Sequence, residues 1–324
     1  MALQQFTNLN FEDIKSSLKD YLRENSDFSD MDFEGSNLSI LINTLAYNSY
    51  ITAYNTNMVV NETFIDSATL RENVVSLARN IGYVPRSKTA AKTKVDYFIT
   101  GISTSTSTIV FESGVIANGT VSNANYIFSL PEEVTGTVVD GISQGTIEIC
   151  QGQYLESQFR IDNSQPNQRF ILPNSDIDTS TIRVSVIESS GSNTSTEYKL
   201  ATNIIGITST SNIYLLQETT DERYELLFGD GVFGDKLESG NIVNVSYIKT
   251  SGKQGNGVAG FKFAGTLSDQ DGVTLDGFTA TLNAQFPSEN GDDIESLDSV
   301  RYYAPRVYSS QHRAVTASDY EAIL

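Results

Sequence analysis

Residues 1–84 place apolar side chains at the spacing of amphipathic helices in three consecutive segments. Asn10 precedes the first segment as a good N-cap residue, and Gly82 follows the third segment at a position where many helices end. The second segment, from about residue 38 to 59, is apolar on more than one face, so we expect it to be buried on several sides. The apolar positions are Phe11, Ile14, Leu18 and Leu22, then Leu38, Leu41, Ile42, Leu45, Ala46, Ile51, Ala53, Tyr54, Met58 and Val59, then Leu70, Val74, Leu77, Ala78 and Ile81.

From about Val95 the apolar period changes to two, and short β-rich runs alternate with turns of Gly, Asn, Ser and Asp. Near Glu289 the pattern becomes helical again, and a further helix opens at Ser318. The sequence thus predicts an α+β fold: a helical region at 1–84, a β-rich domain at 85–285 and the start of another helical region at 286–324. Because the last predicted helix ends without a cap, we expect these residues to be part of a longer gene product.

Charge and composition narrow the possible functions of this 324-residue chain. The chain has 40 acidic and 21 basic residues and a formal charge of −19, which repels phosphate backbones, so we expect no nucleic-acid partner. The single cysteine, Cys150, excludes a disulfide within the chain and a cysteine-based metal site. The first residues do not form a signal peptide, and the apolar stretches are too short to span a membrane, so we expect a protein made and kept in a cytoplasm.

The residue types needed for catalysis are scarce. His312 is the only histidine, so no second imidazole can help to build a catalytic or zinc site. The acidic run from Asp292 to Glu295 could act as an acid and base pair, but carboxylates in a first helical turn more often complement the helix dipole. Asp269 to Asp276 resembles a calcium loop only loosely, because the spacing fails and the closing Glu is missing. We predict no enzyme activity, no catalytic residue, no cofactor and no metal.

Two further motifs have a structural and a functional interpretation. The basic run from Arg79 to Lys94 could grip nucleic acid, but in an acidic protein we favour docking on an acidic neighbour, or simple solvation. The stretch FGDGVFGDK contains Gly229, Gly231 and Gly234 in the spacing G-x-G-x-x-G. A nucleotide-binding loop needs a helix after these glycines, and a second strand follows instead.

We therefore predict that Gly229, Asp230, Gly231 and Gly234 connect the two strands of a β-hairpin. In that case at least one of the glycines should have a positive φ. Asp230 and Asp235 also place negative charge where a phosphate would have to bind.

Several stretches resemble the amino-terminal region of the baseplate wedge proteins of T-even-type contractile-tailed phages, and their order and spacing match throughout. These stretches are Asp32–Ser36, Leu45–Asn48, Ala68–Arg71, Gly82–Lys88 and Ala90–Ala91. The run from FGDGVFGDK to GKQGNG, together with residues 313–320, is similar to the wider baseplate J-like family, and residues 168–178 look like the cyanophage-like members. The resemblance covers most of the chain, and the family protein is roughly twice as long.

The resemblance implies a structural virion protein of the tail baseplate, assembled in the host cytoplasm. In the family, two copies per wedge join other wedge proteins in a helical core bundle, and the wedges close into a ring around the tail hub. The resemblance thus implies a second copy of the chain, other wedge proteins, the tail hub and sheath-proximal proteins as partners. The ring relays the conformational change that triggers sheath contraction. The residues that match the bundle region, or that add apolar surface to it, are Gly35, Leu38, Leu41, Leu45, Tyr47, Asn48, Leu70 and Arg71.

Two alternatives remain open from the sequence. A tail-associated glycan-binding or glycan-cleaving protein would need exposed aromatic residues and a carboxylate pair in a groove. The chain has no Trp, and its 16 Tyr and 16 Phe are spread along it without a cluster. A baseplate subunit of a bacterial contractile injection system is the nearest relative of the main interpretation, and the sequence separates it poorly from a phage protein.

Overall fold

The computed structural model describes residues 7, 10–24, 37–165, 168–188, 194–201, 206–311, 313 and 316–317. Within these residues the chain forms a helical unit and a β unit. The helical unit comprises residues 1–84 and 296–324, and the β unit comprises residues 85–295. The predicted order of helices, β-rich region and carboxyl-terminal helix is confirmed, and with it the α+β class.

The helices are α1 (Phe11–Arg23), α2 (Leu38–Glu62), α3 (Arg71–Asn80) and α4 (Leu297–Ser310). The Asn10 side chain accepts a hydrogen bond from the N–H of Glu12 at 3.0 Å, so it caps α1 as the sequence predicts. Gly82 follows α3 with a φ of 82°, a left-handed conformation that favours glycine at a helix end. The helix predicted from Ser318 lies outside the described residues.

The carboxyl-terminal helix α4 belongs to the same unit as the amino-terminal helices, although the sequence assigns residues 286–324 to a separate region. Val300 and Ala304 of α4 are fully buried in one cluster with Val74 and Ala78 of α3. Without α4, these α3 side chains would face water. The sequence predicts a helical pattern from about Glu289, but residues 289–295 are not helical. They lie in the β unit, where they pair with residues 86–92.

The strands of the β unit are β1 (Lys92–Thr100), β2 (Thr108–Phe111), β3 (Gly114–Val121), β4 (Ala124–Leu130), β5 (Val134–Val139), β6 (Ile142–Gln151), β7 (Gln153–Arg160), β8 (Phe170–Ile171), β9 (Ile177–Ile187), β10 (Ser195–Leu200), β11 (Ile213–Glu218), β12 (Tyr224–Phe228), β13 (Ile242–Lys249), β14 (Phe261–Phe263), β15 (Leu267–Asp269) and β16 (Thr279–Ala284). They form two sheets. In the first sheet the order is β14-β3-β4-β6-β5-β2-β15, and β1 pairs with both β6 and β16. In the second sheet the order is β7-β13-β9-β10-β11-β12-β8.

Each sheet has its own apolar core, built by the alternation of the strands. Phe111, Phe128 and Ile99 are fully buried in the core of the first sheet, and Tyr224 and Tyr247 in the core of the second. A small cluster of Ala90, Cys150 and Ile248 joins strands from both sheets. Burial raises the pKa of the Cys150 thiol to about 11, so this cysteine is an inert packing residue at neutral pH.

The predicted hairpin at Gly229, Asp230, Gly231 and Gly234 is wrong. The strands on either side of these residues, β12 and β13, are both present but do not pair with each other. Strand β12 pairs with β11 and β8, whereas β13 pairs with β7 and β9. Since both edges of each strand already have partners, the segment between them is a crossover connection within the sheet.

Candidate assembly interface

Helix α2 has no charged residues along most of its length and exposes several large apolar side chains. The 25-residue helix has no Asp, Glu, Lys or Arg between Leu38 and Asn61, in a chain where 19% of the residues are charged. Ile40 and Val59 are 69% and 68% exposed. Four of its residues are buried, namely Ile42, Ala46, Asn57 and Asn61. This exposed apolar surface makes α2 a candidate site of protein association.

Three stripes run along α2, and in two of them the residues follow one another in alternating steps of four and three. The buried stripe packs inside the helical unit, and two further stripes are solvent-facing. The buried stripe consists of Ile42, Ala46, Ala53, Asn57 and Val60. The tyrosine stripe consists of Ile40, Thr44, Tyr47, Ile51, Tyr54 and Met58, and the asparagine stripe of Leu41, Leu45, Asn48, Thr52, Asn55 and Val59. All but the half-buried Ile51 are exposed in these last two stripes.

The buried stripe already has its partners. Helix α1 packs against α2, and Thr7, just before α1, donates its backbone N–H to the Asn57 side chain at 3.0 Å. The Thr7 hydroxyl donates to the Ala53 carbonyl at 3.2 Å, and the Asn61 amide donates to the Asn57 carbonyl at 2.8 Å. These bonds account for the two buried asparagines of α2, which would otherwise carry the cost of unpaired polar groups.

The residues predicted for the core bundle separate into two places. Leu41, Leu45 and Asn48 share the asparagine stripe, and Tyr47 lies on the tyrosine stripe. Leu38 is half-buried at the first turn of α2. The remaining two predicted positions, Leu70 and Arg71, begin α3 and not α2, and Gly35 lies outside the described residues.

The residues predicted for the interface do not include Ile40, Tyr54, Met58 and Val59, although these four are among the exposed large apolar residues. Two features of the sequence could have identified these residues. One is the repeat of four and three residues, which predicts a helix packed against other helices. The other is the absence of charge between Leu38 and Asn61, since a solvated helix of this length normally carries charged residues on its outer face.

A carboxylate fixes the corner between α2 and α3. Glu62 accepts hydrogen bonds from the backbone N–H of Thr69 at 2.7 Å and of Leu70 at 3.3 Å, and from the Asn73 side chain at 2.8 Å. Partial burial by itself raises the pKa of Glu62, but the hydrogen bonds from the Thr69 hydroxyl, the Asn73 amide and the two backbone groups outweigh it and lower the pKa to about 2. Glu62 therefore caps α3 as an anion and holds Leu70 and Arg71 in place.

The glycine-rich segment cannot hold a phosphate. The five backbone N–H groups from Gly231 to Asp235 all donate within the protein. Their acceptors are, in chain order, the Gly234 carbonyl, the Asp230 carboxylate twice, the Thr208 carbonyl and the Ser211 carbonyl. The N–H groups of Phe233 and Val232 also lower the pKa of Asp230, so the loop carries a stable negative charge. Gly231 and Gly234 have φ values of 88° and 81°, as a tight turn requires.

The basic run docks on acidic residues of the β unit. The Arg86 guanidinium lies 2.6 Å from the Asp292 carboxylate, and the Lys88 ammonium lies 2.9 Å from Asp176. Backbone bonds in both directions join Thr89 to Asp292 and Lys92 to Glu289. The segments that enter and leave the β unit thus form an antiparallel ribbon.

Glu295 closes this ribbon at its outer end. Its carboxylate accepts the Arg86 N–H at 2.9 Å, and its own N–H donates to the Arg86 carbonyl at 3.1 Å. The acidic run from Asp292 to Glu295 is therefore part of this antiparallel ribbon. The prediction that it lies in the first turn of a helix is wrong, because α4 begins only at Leu297.

The other candidate chemical groups have structural roles or lie outside the described part of the chain. Asp269 accepts the backbone N–H groups of Asp271 and Val273, both at 2.9 Å, and so stabilises its own turn. No group of three or more His, Cys, Asp or Glu side chains that could hold a metal ion occurs among the described residues. His312 is not among these residues. None of the described helices combines the length and the apolar character of a membrane span.

The comparison with known families decides what kind of protein has this architecture. Residues 10–83 match the helical domain of the gp6-like baseplate wedge proteins, and residues 158–253 match the third domain of the bacteriophage baseplate wedge protein gp6. The chain contains two gp6-like baseplate wedge domains. The first of these gp6-like domains contains α1, α2 and α3, and the second contains most of the second sheet together with the glycine-rich segment.

A curated relative supports the same conclusion. The baseplate wedge protein gp6 of Enterobacteria phage T4 is 28% identical over 341 aligned residues, which cover 98% of this chain and 50% of the relative. The chain therefore spans about half the length of that gp6 protein. The resemblance to baseplate wedge proteins, drawn from the sequence, is confirmed.

Proposed function

We propose that this chain is a structural subunit of a contractile phage tail baseplate wedge. Helix α2 enters a bundle with helices of other wedge proteins and of a second copy of the chain, and the bundle links wedges into a ring around the tail hub. The observation that carries the proposal is the pair of uncharged, solvent-facing stripes on α2, within a domain that matches the helical domain of gp6-like wedge proteins.

The energetics of α2 favour such a bundle. Fully burying one Leu, Ile, Val, Phe or Met side chain stabilises an assembly by roughly 1.5–3 kcal/mol. The two exposed stripes include six large aliphatic side chains, namely Leu41, Leu45, Val59, Ile40, Ile51 and Met58. Association through both stripes therefore gives a stable complex without any charged contact.

The β unit has a different role, as a rigid body that positions the bundle. Each of its two sheets has its own buried apolar core. Backbone hydrogen bonds between residues 86–92 and 289–295 hold the two ends of the unit together. Such a body transmits a displacement without internal rearrangement, because close-packed cores deform little. This property suits a ring that relays the change leading to sheath contraction. The similarity to a structural wedge protein also favours a protein without enzyme activity.

Quantitative mass spectrometry of purified virions tests the proposal. We expect the chain in washed particles, at a fixed ratio of two copies per wedge to the other wedge proteins, and located in the tail baseplate by antibody labelling. A chain that is absent from intact virions, or present at a variable ratio, would overturn the proposal. A bacterial contractile injection system would instead give the chain in particles that lack a capsid.

A further inference from the structure

Strand β7 is an open edge of the second sheet. It pairs with β13 over all eight of its residues without a bulge, and no described strand pairs with its other side. The other described strands that pair on one side only are shorter, from two residues in β8 to six in β16. Proteins usually protect a long edge with a bulge, a proline or a lysine, and β7 has none of these. Such an edge can accept a strand from another chain.

A hydrogen bond at the end of β7 shows which backbone groups face the open side. Ile161, directly after β7, donates its N–H to the Asn241 carbonyl, directly before β13, at 2.9 Å. The backbone groups of successive residues in a strand point to opposite sides, so Glu156, Gln158 and Arg160 direct their N–H and C=O groups away from β13. These three residues therefore offer backbone donors and acceptors to an added strand.

The apolar side chains of β7 also favour an added strand. Leu155 and Phe159 are only half-buried at the border of the second apolar core, so a further strand would remove more of their surface from water. The Arg160 carbonyl accepts the Gln168 amide at 2.7 Å, but a carbonyl oxygen has a second lone pair for another donor. The open edge can therefore pair without breaking a bond within the chain.

Charge identifies the strand that fits this edge. Glu156 and Arg160 have opposite charges, are both exposed, and lie two positions to either side of Gln158. If two copies of β7 run antiparallel about an axis at Gln158, each Glu156 lies directly opposite the partner subunit's Arg160. The formal charge of residues 156–160 is zero, whereas the whole chain carries −19 and repels its copies over most of its surface. The edge of β7 is thus complementary to itself.

We propose that β7 pairs with the β7 strand of a second copy of this chain, antiparallel and centred on Gln158. The second sheets of the two copies then form one continuous sheet, held by backbone hydrogen bonds and by ion pairs between Glu156 and the partner subunit's Arg160. The inference goes beyond the proposed function, because it assigns an assembly contact to the β unit, in which α2 takes no part.

Other arrangements of the two strands lose the charge match. A parallel pair in register would place Glu156 against the partner subunit's Glu156 and Arg160 against the partner subunit's Arg160, and like charges directly opposite each other are destabilising. An antiparallel pair centred on Glu156 or on Arg160 also brings like charges together. A pair centred on Ser157 would place Glu156 opposite the partner subunit's Gln158 and form no ion pair.

Disulfide crosslinking of the full chain tests the register. Opposite residues that exchange backbone hydrogen bonds have Cα atoms about 5.5 Å apart, which suits a disulfide. We expect Gln158→Cys to form a covalent dimer on mild oxidation. Glu156→Cys and Arg160→Cys should each stay uncrosslinked alone and should crosslink to each other when mixed. Native Cys150 does not compete, because it is buried and its pKa is raised.

The same chains give the results that would overturn the proposal. A folded Gln158→Cys chain that stays monomeric on oxidation refutes the pairing. A covalent dimer of Glu156→Cys alone would show a parallel pair, and a crosslink between positions 156 and 158 in a mixture would show a shifted register. The matched control is Gln144→Cys, exposed in β6 of the first sheet, and crosslinking of this variant to the same extent would show random collision.

Reversal of the charges gives an independent measurement. All chains carry Leu45→Asp to remove association through α2, and sedimentation equilibrium gives the dimer dissociation constant. We expect Glu156→Arg to raise this constant roughly tenfold, because two pairs of like charges replace two ion pairs. Glu156→Arg combined with Arg160→Glu should restore it. A double variant that stays as weak as the single one would overturn the proposed register.

Mass spectrometry of virions separates this inference from the proposed function. A chain that is present in virions but does not crosslink through β7 refutes the strand pairing and leaves the wedge function standing. A chain that crosslinks as described but is absent from virions supports the strand pairing and refutes the wedge function alone.

Discussion

The Glu62 carboxylate at the end of α2 accepts a hydrogen bond from the backbone N–H of Thr69 at 2.7 Å, across the turn that leads to α3. The same carboxylate bonds the N–H of Leu70 and the side chain of Asn73. The last residue of one helix thus caps the first turn of the next. Glu62 is also the first charged residue after the uncharged stretch of α2. The one charged side chain of the helix therefore lies at its end, where it bonds the start of α3.

This cap makes the helical unit sensitive to acid. The pKa of Glu62 is about 2 in the folded chain against an ordinary 4.5, so its stabilisation is complete above about pH 4.5 and is lost as the pH falls towards 2. We expect Glu62→Gln to lower the free energy of unfolding by about 1 kcal/mol at neutral pH, as loss of a helix cap does, and to flatten the dependence on pH below 4.5. Urea unfolding followed by far-UV circular dichroism measures both effects. Glu72→Gln, in the first turn of α3, is the control with a small effect.

Leu45→Asp should abolish assembly and leave the fold intact. Leu45 is 47% exposed on the asparagine stripe, so a carboxylate there costs the free chain little, within about 0.5 kcal/mol. In a bundle the same carboxylate would be buried without a partner, which is strongly unfavourable. The readouts are incorporation into virions and the circular dichroism of the β unit. Val139→Asp, at an exposed apolar position of the β unit, should assemble normally, and loss of β structure in Leu45→Asp would contradict the separation of roles.

A fragment of residues 1–84 should not fold as a stable monomer. It lacks α4, whose Val300 and Ala304 fill the core beside Val74 and Ala78, and it exposes both apolar stripes of α2. We expect a broad, weakly cooperative melt, or self-association, in sedimentation velocity and thermal circular dichroism. The full chain, measured in parallel, should melt cooperatively. A monomeric fragment with a sharp melt would show that α4 is dispensable.

The three glycines of the crossover connection should tolerate alanine to different degrees. Gly231→Ala should cost about 1 kcal/mol, because its φ of 88° disfavours a side chain, although the added Cβ would make only an ordinary contact at 3.5 Å with the Lys236 side chain. Gly229→Ala and Gly234→Ala should cost more, because the added Cβ would lie 2.3 Å from the carbonyl carbon of Gly234 and 2.8 Å from the Ile213 side chain, respectively. Gly260→Ala is the control, since nothing lies within 4 Å of its added Cβ.

The same variants test the rejected nucleotide site. Millimolar NAD or ATP should leave the melting temperature of the chain unchanged, because the N–H groups from Gly231 to Asp235 are all occupied. A thermal shift with either nucleotide that disappears in Gly231→Ala would reopen the enzyme interpretation.

Local signals in the sequence predicted most helices and many strands. Asn10 and the apolar period predict α1, and Gly82 follows the end of α3. The sequence of strand β7, QYLESQFR, alternates apolar and polar residues only in part and gives a weak local signal. The hairpin error has another cause. Which strands pair within a sheet depends on contacts distant in sequence, and three strands separate β12 from β13.

The interface could be predicted as a region but not as a geometry. The sequence shows that α2 is apolar on several faces, yet the tertiary fold determines which stripe packs inside the chain and which two remain exposed. Tyr47 and Asn48 are neighbours in sequence and were predicted as one site, but they belong to different stripes. Adjacent helical residues point about 100° apart, so two separate partners can contact them.

The hydrogen-bonded pair of Arg86 and Glu295 places the two ends of the β unit side by side. A domain whose two ends coincide can be removed or replaced as one block, with only a short loop needed to keep the host chain continuous. The chain is therefore modular at this point: evolution can lengthen, exchange or delete the β unit between α3 and α4 without redesigning the helices. The same junction offers protein engineers a defined site for grafting a foreign domain.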